Sequence, residues 1–121
     1  MRKELEERLI HFAGEIVSLK KFIKTNYEGD HLAKQLVRSG TSVALNFGEV
    51  QGAETSRDFI HKQSIVLKEL RETYINLRII EINGLCTNHS LLSRLLDECD
   101  QLIRIFTRSI QTSKRNLARE K

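Results

Sequence analysis

The sequence contains no proline and only six glycines among its 121 residues. Proline interrupts helices because it lacks an amide donor and clashes with the preceding turn, so a chain without it can form long, uninterrupted helices. Charged residues make up 30% of the sequence, which is enough to cover the solvent-facing sides of such helices. These features predict an all-α protein, and the length suits one domain with its own hydrophobic core.

Long apolar runs are also absent. No segment approaches the roughly 20 consecutive apolar residues that a transmembrane helix needs. The first residues, MRKELEERLIHFAGEIV, mix charged and apolar side chains, unlike a secretory signal peptide. We therefore expect a cytoplasmic protein that makes no contact with a membrane.

Residues that could carry chemistry are few and scattered. Cys86 and Cys99 have neither CxxC spacing nor neighbouring histidine ligands, so we expect reduced thiols that pack in the interior. The four histidines do not supply the two Glu-x-x-His units with which a helical bundle holds a pair of metal ions. The glycines never form the GxxxxGK or GxGxxG pattern of a phosphate loop. The sequence predicts no catalytic residue, no cofactor and no metal, and hence a protein that is not an enzyme.

Apolar residues instead recur at alternating spacings of three and four, as in helices that pack along a heptad seam. In the first segment this seam consists of Leu5, Leu9, Phe12, Ile16, Leu19 and Ile23. We predict helices at about 3–24, 30–50, 56–83 and 89–118 within a single domain, 1–121. The short connections favour an up-down-up-down antiparallel four-helix bundle over the alternative, an extended coiled coil.

Polar residues with capping chemistry stand at the predicted starts of three helices. In chain order these candidate caps are Asp30, Thr55 or Ser56, and Asn88 or Ser90. Gly84 predicts the end of the third helix. Gly40 and Gly48 lie inside the second helix, where glycine costs about 1 kcal/mol relative to alanine. They indicate either the close approach of another helix or simple tolerance of glycine, and the sequence does not decide between the two.

The third helix carries more apolar residues than one buried stripe requires. Beside its seam stand Ile60, Ile65, Leu67, Ile75, Ile79 and Ile82. A helix on the surface of a single bundle needs one apolar face, so this surplus predicts a second buried face and therefore association between copies of the chain.

Polar residues also cluster beside the seams of the two central helices. The second helix has Ser42, Asn46 and Glu49 on one face, and the third has Glu69, Glu72 and Asn76. Carboxylates so placed could act as acid and base or bind metal, but a structural network of hydrogen bonds and ion pairs is the favoured interpretation. The antiparallel register predicts that Glu69 and Glu72 face Arg38.

The last helix carries a row of arginines that we call the basic stripe: Arg104, Arg108, Arg115 and Arg119. Together with Lys114 they are the candidate nucleic-acid contacts, because a row of cations can follow a phosphate backbone and release its counterions. The alternative is an ordinary solvated face whose charge suits the C-terminal end of a helix. The formal net charge of +4 is compatible with either interpretation.

Residues 39–73 contain a set of short motifs that together are specific enough to indicate a protein family. It comprises Ser39-Gly40-Thr41-Ser42-Val43, Asn46, Glu49-Val50-Gln51, Ser56, Asp58-Phe59-Ile60-His61-Lys62, Lys68-Glu69 and Glu72-Thr73. This combination resembles the signature of the small bacterial four-helix bundle proteins named for the 23S rRNA intervening sequence. The sequence departs from that pattern at Ile75 and Asn76, where many relatives have an aromatic pair.

The resemblance implies a bundle that assembles as a ring, typically a pentamer, with no known enzymatic activity. Such proteins are similar to the accessory protein of diversity-generating retroelements, which binds a reverse transcriptase and nucleic acid. We therefore expect RNA, DNA, a ribonucleoprotein or a reverse transcriptase as the partner, the alternative being a protein scaffold without nucleic-acid contact. Residues of the signature to which we assign a role in fold and assembly, here called the assembly motif, are Ser42, Asn46, Glu49, Phe59, Lys62, Lys68, Glu69 and Glu72.

Overall fold

The computed structural model describes residues 2–120, so Met1 and Lys121, the ends of the predicted domain, lie outside it. Within this range the chain forms α1 (Arg2–Leu19), α2 (Tyr27–Gln51), α3 (Ser56–Ile82) and α4 (His89–Arg119). Each helix packs against its neighbour in sequence, and α4 returns against α1. The architecture is an up-down-up-down antiparallel four-helix bundle, which confirms the predicted fold class.

The core consists of the predicted seams. The seam of the first segment is buried from Leu9 in α1 to Ile23, just after the 3₁₀ turn that follows α1, and Leu5 packs at its edge. In the middle of the bundle, Phe47 of α2 and Phe106 of α4 meet edge to face with ring centroids 5.8 Å apart. Heptad spacing predicted these positions because it turns one face of every helix towards its neighbours.

The start of α2 differs from the sequence prediction. Asp30 does not cap this helix; Asn26 does, and its side-chain oxygen accepts a hydrogen bond from the amide of Gly29 over 2.7 Å. Gly29 can occupy the first turn because it lacks a side chain: a Cβ there would lie 1.8 Å from the carbonyl oxygen of Lys24. The preceding helix also ends earlier than predicted, since a short 3₁₀ turn (Lys20–Phe22) replaces its last part.

The other predicted helix ends agree with the structure. Thr55 caps α3 by accepting a hydrogen bond from the amide of Asp58 over 3.0 Å. Asn88 caps α4 in the same way through the amide of Leu91, over 3.1 Å. Beyond the end of α3, Gly84 adopts a φ of 61°, a left-handed conformation that glycine reaches without steric cost.

The structure gives different reasons for Gly40 and Gly48 inside α2. A Cβ on Gly40 would lie 2.8 Å from Cγ2 of Ile16 in α1, so the close approach of another helix explains this glycine. A Cβ on Gly48 would meet nothing within 4 Å, so here the helix simply tolerates glycine. The packing of α1 against α2 is therefore close at Gly40, where a side chain would not fit without a shift of Ile16.

The two ends of the bundle are built differently. At the end we call the tied end, the α1–α2 and α3–α4 connections lie side by side. The amide of Lys24 donates to the carbonyl of Leu85, and that of Thr87 to the carbonyl of Phe22, both over 2.8 Å. At the other end, here the open end, α1 begins, α4 finishes, and residues 52–55 join α2 to α3.

Candidate nucleic-acid interface and assembly motif

The four arginines of the basic stripe are all exposed on α4. Their spacings of four, seven and four residues keep them on one face of the helix. Arg104 donates a hydrogen bond to Asp100 over 3.2 Å, one turn earlier on the same helix. Within residues 2–120, Arg108 and Arg115 form no ion pair, so their charges are free to meet an external anion.

The fifth candidate, Lys114, lies to one side of this stripe. It lines a shallow groove of about 830 Å³ along the outer face of α3, together with Lys68 and Arg71. The same groove exposes Ile75 and Ile79. The structure therefore brings Lys114 beside two cations of α3, an arrangement that requires knowledge of how α3 and α4 align and that sequence reasoning missed.

The predicted meeting of Glu69 and Glu72 with Arg38 is confirmed. The Arg38 guanidinium donates to Glu69 over 3.2 Å and to Glu72 over 2.5 Å. These contacts raise the pKa of Arg38, chiefly through the hydrogen bond to Glu72 and the charge of Glu69. Arg38 binds both carboxylates, so these ion pairs join α2 to α3. Glu69 and Glu72 are therefore poorly placed to act as a free acid and base.

Beneath this ion pair lies a row of buried polar contacts between α2 and α3. The hydroxyl of Thr73 donates to that of Ser39 over 2.8 Å, and both side chains are buried. One turn further on, the Asn76 side-chain amide donates to the carbonyl of Leu32 over 3.0 Å. The neighbouring Ile75, at the other departure from the family pattern, is 58% exposed. Asn76 therefore has a structural role in place of an aromatic residue.

Four further residues of the assembly motif lie on α2 and α3 and make no hydrogen bond between these helices among the described residues. The Ser42 hydroxyl donates to the carbonyl of Arg38 over 2.7 Å, within its own helix. Asn46 is half-buried and Glu49 is exposed, and neither makes a side-chain hydrogen bond among the described residues. Lys68 is exposed on α3. These positions supply exposed polar surface along α2 and α3, and their role in assembly stays a prediction.

Phe59 and Lys62 belong to the first turns of α3, at the open end. Phe59 packs on the edge of the core, and the guanidinium of Arg2 lies 5.5 Å from its ring centroid. Lys62 pairs with Asp58 over 3.1 Å. The hydrogen bond from Lys62 is the main reason why the pKa of Asp58 lies below its usual value.

Titratable groups do not form a metal or redox centre in the part of the chain that the structure describes. The one Glu-x-x-His unit, Glu28 and His31, lies in the first turn of α2. Both cysteines are buried and free. Burial raises the pKa of the Cys99 thiol to about 12 and also raises that of Cys86, so both stay protonated at neutral pH, as expected of packing residues.

None of the helices within residues 2–120 has the length and apolar character to span a bilayer.

Comparison with known proteins places this architecture among described families. The family model of the 23S rRNA-intervening sequence protein matches residues 4–108. A crystal structure of a protein of unknown function from the S23 ribosomal protein family of Bacteroides thetaiotaomicron is similar, with a TM-score of 0.80 and 28% sequence identity. The match covers 92% of this chain and 99% of that protein. No curated protein sequence matches the chain.

Proposed function

Because the chain belongs to the 23S rRNA-intervening sequence protein family, we propose that it is a non-enzymatic adaptor that binds RNA or a ribonucleoprotein as a homo-oligomer, a pentamer. The similar bacterial protein is itself of unknown function, so the argument depends on the surface of this chain. The observation that carries the proposal is the exposed basic stripe of α4. The engagement of Glu69 and Glu72 by Arg38 supports a non-enzymatic role, because it leaves neither carboxylate free.

The length and charge of the basic stripe suit a phosphate backbone. With a rise of about 1.5 Å per residue, the stripe extends for about 22 Å along α4. Each cation that neutralises a phosphate releases counterions, which favours binding at low salt. Four arginines on one chain bind weakly, but a ring that repeats the stripe would let several weak contacts act together. Assembly and nucleic-acid binding are thus coupled in this proposal.

The direct test measures the affinity for a structured RNA at several salt concentrations. For the native protein we expect the logarithm of the affinity to fall linearly with the logarithm of the salt concentration. The variant Arg108→Glu/Arg115→Glu should bind at least about 10-fold more weakly, with the slope reduced by about two phosphate contacts.

The matched control is Lys21→Glu/Lys34→Glu, which makes the same change in net charge. Lys34 is exposed on α2, which is separated from α4 by the core, and Lys21 is exposed in the 3₁₀ turn. This variant should retain most of the affinity. Equal losses of affinity in the two variants would show that only the net charge matters. Binding that survives the change on α4 would show that the basic stripe is not part of the interface. The absence of RNA and DNA binding at low salt would refute the nucleic-acid proposal altogether.

The exposed isoleucines of α3 favour a second candidate, a protein scaffold or an accessory protein to a reverse transcriptase without nucleic-acid contact. Ile75, Ile79 and Ile82 are 58%, 40% and 71% exposed. Apolar side chains grouped on one helix face indicate a surface that another protein covers. Partners that bind through this face would not need the arginines of α4.

Measurement of the mass in solution tests the assembly that both candidates involve. We expect an oligomer for the native protein and a smaller species for Ile75→Glu/Ile79→Glu. The control is Ile10→Glu, on α1, where the side chain is 50% exposed and outside this face. A native protein that is strictly monomeric would contradict both the ring and the argument from repeated weak contacts.

A further inference from the structure

All four helices contribute to a cleft of about 750 Å³ at the open end of the bundle, here called the open-end cleft. Its lining includes Leu5 of α1, Phe47 of α2, Phe59 of α3, and Ile105 and Phe106 of α4. A mainly apolar and aromatic lining, with a volume between about 300 and 1,000 Å³, is typical of sites for small organic ligands.

The cleft has a cause in the sequence of α4. The seam of this helix runs through Phe106 and Ile110, and the next positions along it would normally carry large apolar side chains. Ser113 stands at the next seam position instead, and it lines the cleft together with Ser109 and Thr112. Small hydroxyl side chains leave space where leucine would fill the core, so the helices enclose a cleft at this end.

A buried donor lies at the same place. Gln63 of α3 lines the cleft and is only 3% exposed. Its side-chain nitrogen has no hydrogen-bond partner within residues 2–120. Buried polar groups in proteins almost always have partners, and an unsatisfied one is costly unless something else meets it. This nitrogen is itself shielded from solvent, so it can donate to an acceptor atom of a molecule in the cleft only if the Gln63 side chain turns towards it.

The charges around the cleft favour an anion. Arg2, Arg8 and Arg108 line it, against the single carboxylate of Glu4. Arg8 is already engaged, because its guanidinium donates two hydrogen bonds to Glu98 over 2.7 and 2.8 Å. Arg108 has no ion pair among residues 2–120 and is exposed, so its guanidinium is available to an incoming acid.

We propose that the open-end cleft binds a small anionic amphiphile. The apolar body lies among Phe47, Phe59 and Phe106, the acid group pairs with Arg108, and the amide of Gln63 supplies a hydrogen bond. An aliphatic chain or ring system that ends in a carboxylate has this chemistry. The site is separate from the proposed adaptor function, although Arg108 belongs to both surfaces.

The test uses decanoate as the probe and decanol as its uncharged counterpart. Calorimetry should show saturable binding of decanoate, and NMR should show a shift of the side-chain amide signal of Gln63. Arg108→Gln should weaken decanoate binding about 10-fold and leave decanol binding unchanged, since only the acid pairs with a cation. Arg104→Gln is the control, because this arginine lies one turn away on α4 and outside the cleft.

A second variant separates this site from the basic stripe. Ser113→Leu restores an apolar seam residue, so it should fill the cleft, abolish binding of both probes and raise the melting temperature. It leaves every arginine of α4 in place, so RNA binding should persist if the adaptor proposal is right. Loss of decanoate binding in a more stable protein could not be attributed to misfolding.

Three results would overturn the proposal. One is the absence of saturable decanoate binding at concentrations up to about 1 mM, which corresponds to negligible affinity for a specific site. Another is decanoate binding that Ser113→Leu leaves unchanged, which would place the probe elsewhere. The third is a change in oligomer mass with Ser113→Leu in a protein that does not bind decanoate, which would show that a second copy of the chain covers the cleft.

Discussion

The tied end and the open end of the bundle differ in what holds them together. At the tied end, two connections exchange two backbone hydrogen bonds, which pair Ile23 with Cys86 in an isolated antiparallel bridge. At the open end the helices meet through side chains, and the cleft takes the place of a filled core. The basic stripe also extends towards the open end. We therefore expect the tied end to contribute more to stability and the open end to carry the surfaces that we propose for binding.

Leucine truncation on the two ends of α1 gives the largest expected contrast. Leu19→Ala at the tied end should lower the free energy of unfolding by about 3 kcal/mol, because this side chain is fully buried and its removal leaves a cavity. Leu5→Ala should cost about 1 kcal/mol, since Leu5 is partly buried and lines the open-end cleft, where solvent can fill the space. Urea unfolding measures both values. Equal losses would show that the open end is packed as firmly as the tied end.

Alanine at two glycines of α2 gives the next contrast, with opposite signs. Gly29→Ala should destabilise the protein by about 1–3 kcal/mol, because the new Cβ would overlap the backbone oxygen of Lys24, which cannot move without breaking the connection. Gly48→Ala, near the open end, should stabilise it by about 0.5–1 kcal/mol, since alanine favours the helix and meets no neighbour. Thermal unfolding of both variants provides the test. A stable Gly29→Ala protein would mean that the first turn of α2 can shift, contrary to a rigid tied end.

Helix caps should contribute the same amount to the free energy of unfolding at either end of the bundle. Thr55→Ala at the open end and Asn88→Ala at the tied end should each cost about 1 kcal/mol, because each removes one acceptor for an amide in the first turn. Thermal unfolding again measures the effect. A much larger loss at one end would show that a cap there supports tertiary contacts as well as its own helix.

The sequence predicted the features that depend on local spacing. Heptad periodicity identified the buried seams, such as Leu9 to Leu19 of α1, because burial repeats with the helix turn. Antiparallel register was enough to place Arg38 against Glu69 and Glu72. Residue type named Thr55 or Ser56 and Asn88 or Ser90 as caps, and each pair contains the observed cap, since a capping hydrogen bond forms within three residues.

Features that depend on several elements at once were not predictable in the same way. Asn26 and Asp30 are both good caps, and the contact of Gly29 with the Lys24 carbonyl decides between them. The grouping of Lys114 with Lys68 required the alignment of α3 with α4. Ser113 was the one local sign of the open-end cleft, but its shape depends on all four helices.

The smallest expected effect is the pH dependence of Asp58, at the open end. The Lys62 ammonium group holds the pKa of this carboxyl below its usual value, and the amide of Glu54 adds to the effect. A lowered pKa in the folded state means that the ionised carboxylate stabilises the protein at neutral pH. That contribution starts to be lost as the pH approaches the unfolded pKa of about 3.9 and disappears below the folded pKa.

The stability difference between the native protein and Asp58→Asn should therefore be present at pH 7 and shrink towards pH 3. In a Lys62→Met background the same difference should be smaller at pH 7, because the main cause of the shift is gone. A difference independent of pH would instead show that the ionisation of Asp58 does not stabilise the fold and would leave Lys62 without a part in holding the open end.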